Sequence, residues 1–199
     1  MKTGNKKIGI DSLTNSYKIF IDTSSLMDPN AEAFLLNKAR DSFAKNLNKI
    51  IVPFKVLEEL KGISRSNDPI KKYNARKGYS IFLKLESLGL GEKRGEEGDG
   101  YVDNLFQVLF TKFRTKYKLC LITQDVGLAL DILDLNKSRS AGYNYKTGKR
   151  RIQGIKVIKL IENGSFEEFY TQTKKPFIPN KVTPRKQTLS KPFKKSIKN

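Results

Sequence analysis

The acidic residues of this chain are the side chains whose spacing could support chemistry. Asp22 and Asp125 each follow closely on a short apolar run, and Glu58 and Glu59 lie in a helix predicted directly after a third run. Such runs are typical of strands buried on both faces of a parallel sheet. Because the carboxyl ends of parallel strands share one edge, where ligands bind, we expect these carboxylates to gather there.

A further acid, Asp103, lies in the first turn of a predicted helix, with Asp99 just upstream. Four carboxylates at one edge repel one another unless a divalent cation compensates them, and oxygen-only ligands suit Mg²⁺ or Mn²⁺. The pattern therefore predicts a metal site. A simpler alternative stays open: Asp22 could cap the next helix, and Asp103 and Asp125 could be ordinary helix-start acids.

The absence of histidine excludes several chemistries. With no histidine and one cysteine, the chain has no Ser/His/Asp triad, no histidine general base and no zinc finger. Ser24 stands where a phosphoaspartyl hydrolase needs a second aspartate, and the chain contains no P-loop motif. Any hydrolysis must rest on carboxylates and on a metal that acidifies water.

The charge balance predicts a polyanionic partner. With 39 Lys+Arg against 20 Asp+Glu, the formal net charge is +19, and the usual candidates for such a partner are nucleic acid and an anionic membrane. The sequence contains neither an apolar run of membrane-spanning length nor a signal peptide, so we expect a cytoplasmic protein. The candidate nucleic-acid-binding residues are Lys71, Lys72, Arg76, Arg139, Lys149, Arg150 and Arg151.

Alternating strands and helices predict an α/β fold, a three-layer sandwich with a central parallel β-sheet flanked by helices. Strands are predicted at 19–21, 49–53, 119–123 and 155–161, the last as an edge strand because lysines interrupt it. A glycine-rich loop is predicted at 89–100. The predicted helices carry apolar stripes, and four of these stripes end at Leu47, Leu88, Phe113 and Leu133. In the stripe that ends at Leu133, Ala129 and Leu130 are also expected to face the core.

Composition also divides the chain. Residues 1–16 are a polar N-terminal extension, 17–171 the folded domain, 137–153 a basic hairpin or loop within it, and 172–199 a tail. The tail has nine Lys/Arg, no acid and four prolines. Such a segment cannot bury enough apolar surface to fold alone, so we expect it to be disordered.

Four motifs in this order resemble the PIN-domain nucleases over about residues 17–161: IDTSSL at 21–26, VPFKVLEEL at 52–60, DGYVDNLF at 99–106 and LITQD at 121–125. The resemblance implies a PIN-like fold and a metal-dependent nuclease, specifically an endoribonuclease. This chain is longer than the smallest family members in three places. These are the segment between the second and third acids, the basic hairpin and the tail.

Carried over residue by residue, the resemblance implies Asp22, Glu59, Asp103 and Asp125 as ligands of Mg²⁺ or Mn²⁺, with Asp99 as substitute for Asp103. Glu59 is preferred to Glu58 because the family places its acid directly before the leucine. Thr23 and Thr123 match hydroxyl positions that help to order the acids and the scissile phosphate, with Thr23 as the supporting hydroxyl of Asp22.

RNA is the expected substrate, and DNA is the other candidate. A catalytically silent RNA-binding or assembly module and a structure-specific DNA nuclease are the alternative functions. A protein inhibitor, as in toxin–antitoxin pairs, and a homodimer stay open.

Overall fold

A six-stranded sheet organises the computed structural model of the chain, which describes residues 9–95, 105–137, 143–144, 149–150 and 154–170. The strand order is β3-β2-β1-β4-β7-β8, every neighbouring pair is parallel except β7 and β8, and β5 and β6 form a separate antiparallel pair. In chain order the strands are β1 Lys18–Ile21, β2 Ile50–Pro53, β3 Gly91–Arg94, β4 Leu119–Ile122, β5 Tyr143–Asn144, β6 Lys149–Arg150, β7 Ile155–Ile161 and β8 Ser165–Glu168.

Helices flank this sheet, which confirms the predicted α/β class with a mostly parallel sheet. A π-helical segment at Ala33–Lys38 and a short 3₁₀ turn at Glu162–Gly164 complete the described elements. The α-helices are α1 Ile10–Ser16, α2 Thr23–Leu26, α3 Arg40–Lys45, α4 Phe54–Ile63, α5 Pro69–Ser87, α6 Leu105–Phe113 and α7 Val126–Asp134.

The direction of chain travel reverses between β1 and β4. From β1 the chain moves outward through β2 to β3, and it then returns to β4 and continues on the other side to β7. Right-handed crossovers place the helices of these two halves on opposite faces of the sheet. The packing agrees, since α2, α4 and α5 contact one another while α6 contacts α7. The place where the strand order reverses is called the switch point of the sheet. In an open α/β sheet, a crevice forms there at the carboxyl ends of the strands.

Two predictions about the edges of the sheet were wrong. The segment 155–161 is not an edge strand, because β8 pairs with it on the side away from β4. The glycine-rich segment 89–100 is not a loop throughout, since residues 91–94 form β3, which pairs with β2 and is itself the edge.

Some apolar stripes are shorter than predicted. Leu47 is 92% exposed, because the chain turns there with a positive φ of 48° instead of continuing the helix. Leu88 follows the end of α5 and is exposed, and Leu130 is exposed while Ile132 takes the buried position on α7. Residues 10–16, assigned by composition to the extension, form α1, and Leu13 joins the common core.

Several predictions fall outside the described residues. Val102 and the start of the helix predicted from residue 101 belong there, as do the tail from residue 172 onward and most of the basic segment 137–153. Within that basic segment, the described residues are 137 and the pair β5 and β6. None of the described helices combines the length and hydrophobicity that a membrane span requires.

Gly78 is where α5 approaches α2 most closely. A Cβ atom at this position would lie 2.8 Å from the carbonyl oxygen of Leu26, whereas a Cβ at Gly62 of α4 would meet nothing within 4 Å. Gly78→Ala should therefore lower the free energy of unfolding by about 1–3 kcal/mol, because the two helices must separate.

Gly62→Ala is the matched control and should leave stability unchanged or raise it by about 0.5–1 kcal/mol. Urea denaturation of both variants measures the difference. Equal stability of the two variants would contradict the close helix contact.

Candidate metal and nucleic-acid site

Three of the four predicted acids line one cleft at the carboxyl edge of the sheet. Asp22 follows β1, Glu59 lies in α4 directly after β2, and Asp125 follows β4. The cleft has a volume of about 390 Å³. It opens at the switch point, because β1 and β4 are neighbouring strands whose outgoing chains lead to opposite faces of the sheet.

Asp22 is the buried acid of this cleft, with 6% of its surface exposed. Its Oδ1 accepts a hydrogen bond from the backbone N–H of Ser25 at 2.9 Å, which caps α2. Its Oδ2 accepts from the hydroxyls of Ser24 at 2.8 Å and Thr123 at 2.6 Å. The capping alternative is therefore correct for Asp22, but capping occupies one carboxylate oxygen and does not explain the burial of the other.

The hydroxyls beside Asp22 are themselves held in place. Ser24 Oγ accepts from the backbone N–H of Gln124 at 3.0 Å, and Thr123 Oγ1 accepts from the backbone N–H of Asp125 at 3.0 Å. Because each oxygen accepts from an N–H, its own proton is directed at the Asp22 carboxylate. This network joins the ends of β1 and β4 and fixes the orientation of Asp22.

Glu59 has a different hydroxyl partner. The Thr23 hydroxyl donates to Glu59 Oε2 at 2.5 Å, so Ser24 and Thr123 take the position beside Asp22 that was expected of Thr23. Glu58 instead forms an ion pair with Lys55 at 3.0 Å. The structure thus places Glu59, and not Glu58, on the cleft.

Asp125 is exposed and caps α7, since its Oδ1 accepts from the backbone N–H of Leu128 at 3.0 Å. The helix-start alternative is therefore also correct for Asp125. Capping again uses one oxygen of the carboxylate, while the side chain lines the same cleft as Asp22 and Glu59.

Sequence reasoning missed three polar residues of the cleft. Ser24 contacts Asp22, and Asp131 lines the cleft although its position in α7 indicated a solvated residue. Gln107 of α6 donates to Asp131 Oδ2 at 3.0 Å. No signal within α7 identifies Asp131, because its helical phase points away from the buried residues Ala129, Ile132 and Leu133.

Burial governs the electrostatics of Asp22. Desolvation raises the pKa of this carboxyl above its ordinary value, and the hydrogen bonds from Thr123, Ser24 and Ser25 offset part of that rise. Within the described ranges, no lysine or arginine forms an ion pair with Asp22, Glu59 or Asp125. Among the described residues, the carboxylates of Asp22, Glu59 and Asp125 are therefore not neutralised by ion pairs.

The donor chemistry of the cleft fits Mg²⁺ or Mn²⁺, because its candidate ligands are carboxylates and hydroxyls with no histidine or thiol. Among the residues that the structure describes, however, no three acidic or cysteine side chains converge closely enough to hold an ion by themselves. The predicted third ligand, Asp103, and its substitute Asp99 lie outside the described residues.

The predicted phosphate-binding residues lie elsewhere or outside the description. Lys71, Lys72 and Arg76 are on α5, which does not contribute to the cleft lining. Lys149 and Arg150 form β6, while Arg139 and Arg151 are outside the described residues. Lys55 is the basic residue among the described residues that line the cleft.

No protein-family model matches this chain, and a comparison with curated proteins finds no match.

Thr123 couples the two strands of the site, and its hydroxyl has two partners. Thr123→Val keeps the volume but removes a donor to a buried carboxylate and an acceptor for the N–H of Asp125. The free energy of unfolding should fall by about 1–3 kcal/mol.

Thr123→Ser keeps the hydroxyl and loses one methyl group, so it should cost only about 0.8 kcal/mol. Chemical denaturation of both variants makes the comparison. A valine variant as stable as the serine variant would show that the hydroxyl does not support Asp22.

The raised pKa of Asp22 predicts a pH-dependent effect in EDTA. Below its unfolded value of 3.8 the carboxyl is protonated in both states, and its contribution to stability is fully present. As the pH rises through the higher folded-state pKa, that contribution is lost because the buried group must ionise. The free energy of unfolding of Asp22→Asn relative to the unsubstituted protein should therefore increase from about pH 4 to about pH 8.

Urea denaturation at several pH values measures this change. A difference between the two proteins that stays constant over the whole range would rule out a raised pKa.

Proposed function

We propose that this chain is a metal-dependent nuclease, an endoribonuclease with a PIN-like fold. The observation that carries the proposal is the buried, hydrogen-bonded carboxylate of Asp22, which shares a cleft with Glu59 and Asp125 at the switch point of the sheet. A buried carboxylate with a raised pKa in a cleft destabilises the fold, which favours a functional role over a structural one.

The placement of the acids supports the PIN-like part of the proposal. The acids follow β1, β2 and β4 in the chain order that the resemblance implies, and the five strands β3-β2-β1-β4-β7 are all parallel. The preference for Glu59 over Glu58, taken from the family motif, agrees with the side chain that faces the cleft.

Asp22, Glu59 and Asp125, together with Asp103 or Asp99, are the residues that would hold Mg²⁺ or Mn²⁺. A bound divalent cation supplies a nucleophilic water at neutral pH and stabilises the charge that develops on a phosphate. Thr123 and Ser24 keep the Asp22 carboxylate in one orientation, and Thr23 does the same for Glu59. Fixed orientation matters because carboxylates that must reorganise during the reaction stabilise its transition state less well.

Charge supports nucleic acid as the substrate. The net charge of +19 attracts a polyanion, and Lys55, whose ammonium group pairs with Glu58 at 3.0 Å, is the basic residue among the described residues that line the acidic cleft. Lys55 is therefore our candidate for contacting a backbone phosphate next to the scissile bond. RNA is the proposed polymer, and it would be bound through its phosphates mostly outside the acidic cleft.

The proposal predicts that the chain cleaves single-stranded RNA with Mn²⁺ or Mg²⁺ and not with EDTA. Asp22→Asn should lower the cleavage rate by about a hundredfold or more, because loss of a ligand exceeds the usual effect of an outer-shell residue. RNA binding should persist, since most phosphate contacts lie elsewhere. Labelled single-stranded RNA, single-stranded DNA and flap substrates, assayed side by side, measure these effects.

Asp134→Asn is the matched control, because Asp134 pairs with Lys137 on the surface of α7 and does not line the cleft. This variant should cleave normally. Mn²⁺ should also raise the melting temperature of the unsubstituted protein more than that of Asp22→Asn. Tight RNA binding without cleavage or metal response would favour the silent RNA-binding module, and cleavage of flap DNA alone would favour the DNA nuclease.

A further inference from the structure

A second, apolar groove of about 550 Å³ lies on one face of the sheet. Its floor follows the two-residue alternation of strands, so that every second side chain of β1, β2 and β3 points into it. These floor residues are Lys18 and Phe20, Ile51 and Pro53, and Glu92 and Arg94. The wall is α6, through Leu105, Leu109 and Phe113.

The groove is a consequence of the topology. The helices that connect β1, β2 and β3 belong on the opposite face of the sheet. On the groove side, α6 packs over β1, where the rings of Phe110 and Phe20 are 5.4 Å apart. Among the described residues, which exclude 96–104 between β3 and α6, the floor formed by β2 and β3 is therefore open to one side of α6.

This groove is continuous with the acidic cleft. Lys55 and Leu105 line both. Phe20 in the groove and Asp22 in the cleft are two residues apart on an extended chain, so their side chains point to the same side about 7 Å apart. A ligand in the groove thus extends toward Asp22 along the row Lys18, Phe20, Asp22.

The chemistry of the groove matches a nucleobase attached to a phosphate backbone. Phe54, Phe113 and Tyr117 supply aromatic surface along its length. The charged lining residues are Lys18, Lys55 and Arg94 against Glu92; Arg94 forms an ion pair with Glu92, and Lys55 forms one with Glu58. Aromatic platforms bordered by cations are the usual recognition surface for unpaired bases.

The size of the groove agrees with this ligand. Pockets for small organic ligands have volumes of about 300–1,000 Å³ and mostly apolar linings with a few polar groups. The observed groove falls within this range. It has room for an unpaired base with its sugar but not for a double helix.

We propose that the groove binds a base of single-stranded RNA next to the phosphate that occupies the acidic cleft. This inference rests on the proposed function for the identity of the polymer. A base held between α6 and the sheet must be unpaired, so the groove makes the site selective for single-stranded segments. The base also sets the register of the strand, because its position along the groove determines which phosphate reaches Asp22.

The test is binding of a fluorescent single-stranded oligoribonucleotide to the full chain in EDTA, where no cleavage is expected. Leu109→Phe narrows the groove and Phe54→Leu removes one aromatic surface, and each should weaken binding about tenfold. Leu83→Phe is the matched control, because Leu83 is an exposed leucine of α5 outside the groove. It should bind RNA as the unsubstituted protein does.

An abasic oligonucleotide of the same length and charge completes the design. It should bind the unsubstituted protein about tenfold more weakly than the intact strand, and the groove variants should not weaken its binding further. Urea denaturation checks that both groove variants fold. If Leu109→Phe does not fold, Phe54→Leu and the abasic strand decide the question.

Groove variants that bind intact RNA as tightly as the unsubstituted protein, or intact and abasic strands that bind equally well, would overturn the proposal. These outcomes are independent of the nuclease assay. Cleavage together with unaffected binding in the groove variants would reject the groove alone. Base-dependent binding without any cleavage in Mn²⁺ would support the groove and reject the nuclease.

Discussion

The burial of one carboxylate between β1 and β4 is the constraint on which the site depends. Asp22 accepts hydrogen bonds from Ser24 and Ser25 of its own segment and from Thr123 of the neighbouring strand. These donors offset only part of the desolvation cost, so the pKa of Asp22 stays raised. A helix of four residues could be capped by asparagine or serine at no such cost. The cost of a buried acid at this position is understandable if its charge has a function.

The reversal of chain direction at β1 and β4 explains why the cleft and the groove are neighbours. At the carboxyl edge, the chains leaving these two strands diverge to opposite faces, and Asp22 and Asp125 lie where they separate. On the α6 side, the same reversal leaves β2 and β3 uncovered by the helices that the structure describes. Both features therefore arise from a single topological property. Lys55 and Leu105 line both the cleft and the groove, because both features lie where the strand order reverses.

How far the sequence predicted the fold depends on how each strand is stabilised. The strands β1, β2 and β4 are identified by their short apolar runs, since they lie inside the sheet and most of their side chains are buried. β3 has the sequence Gly-Glu-Lys-Arg, and β8 has the sequence Ser-Phe-Glu-Glu. These two are edge strands that form through backbone pairing with β2 and β7. Their side chains carry no strand pattern, so no reading of hydrophobicity could have found them.

The residues of the site also differ in whether the sequence of one element or the packing of two elements determines where they lie. In α4 the buried residues Val56, Leu57 and Leu60 fix the helical phase. At about 100° per residue, Glu58 points about 150° away from the centre of that face, whereas Glu59 lies about 105° away. Helical phase thus places Glu59 nearer to the buried face than Glu58, in agreement with the acid that the family motif selects.

Asp131 shows where such local reasoning ends. The buried residues of α7 are Ala129, Ile132 and Leu133, and by the same measure Asp131 points about 150° away from them, which indicates solvent. It lines the cleft because α6 packs beside α7 and Gln107 donates a hydrogen bond to it. A residue whose position depends on the packing of two helices cannot be placed from the phase of either one. The acids at strand ends were predictable because parallel pairing alone brings those ends together.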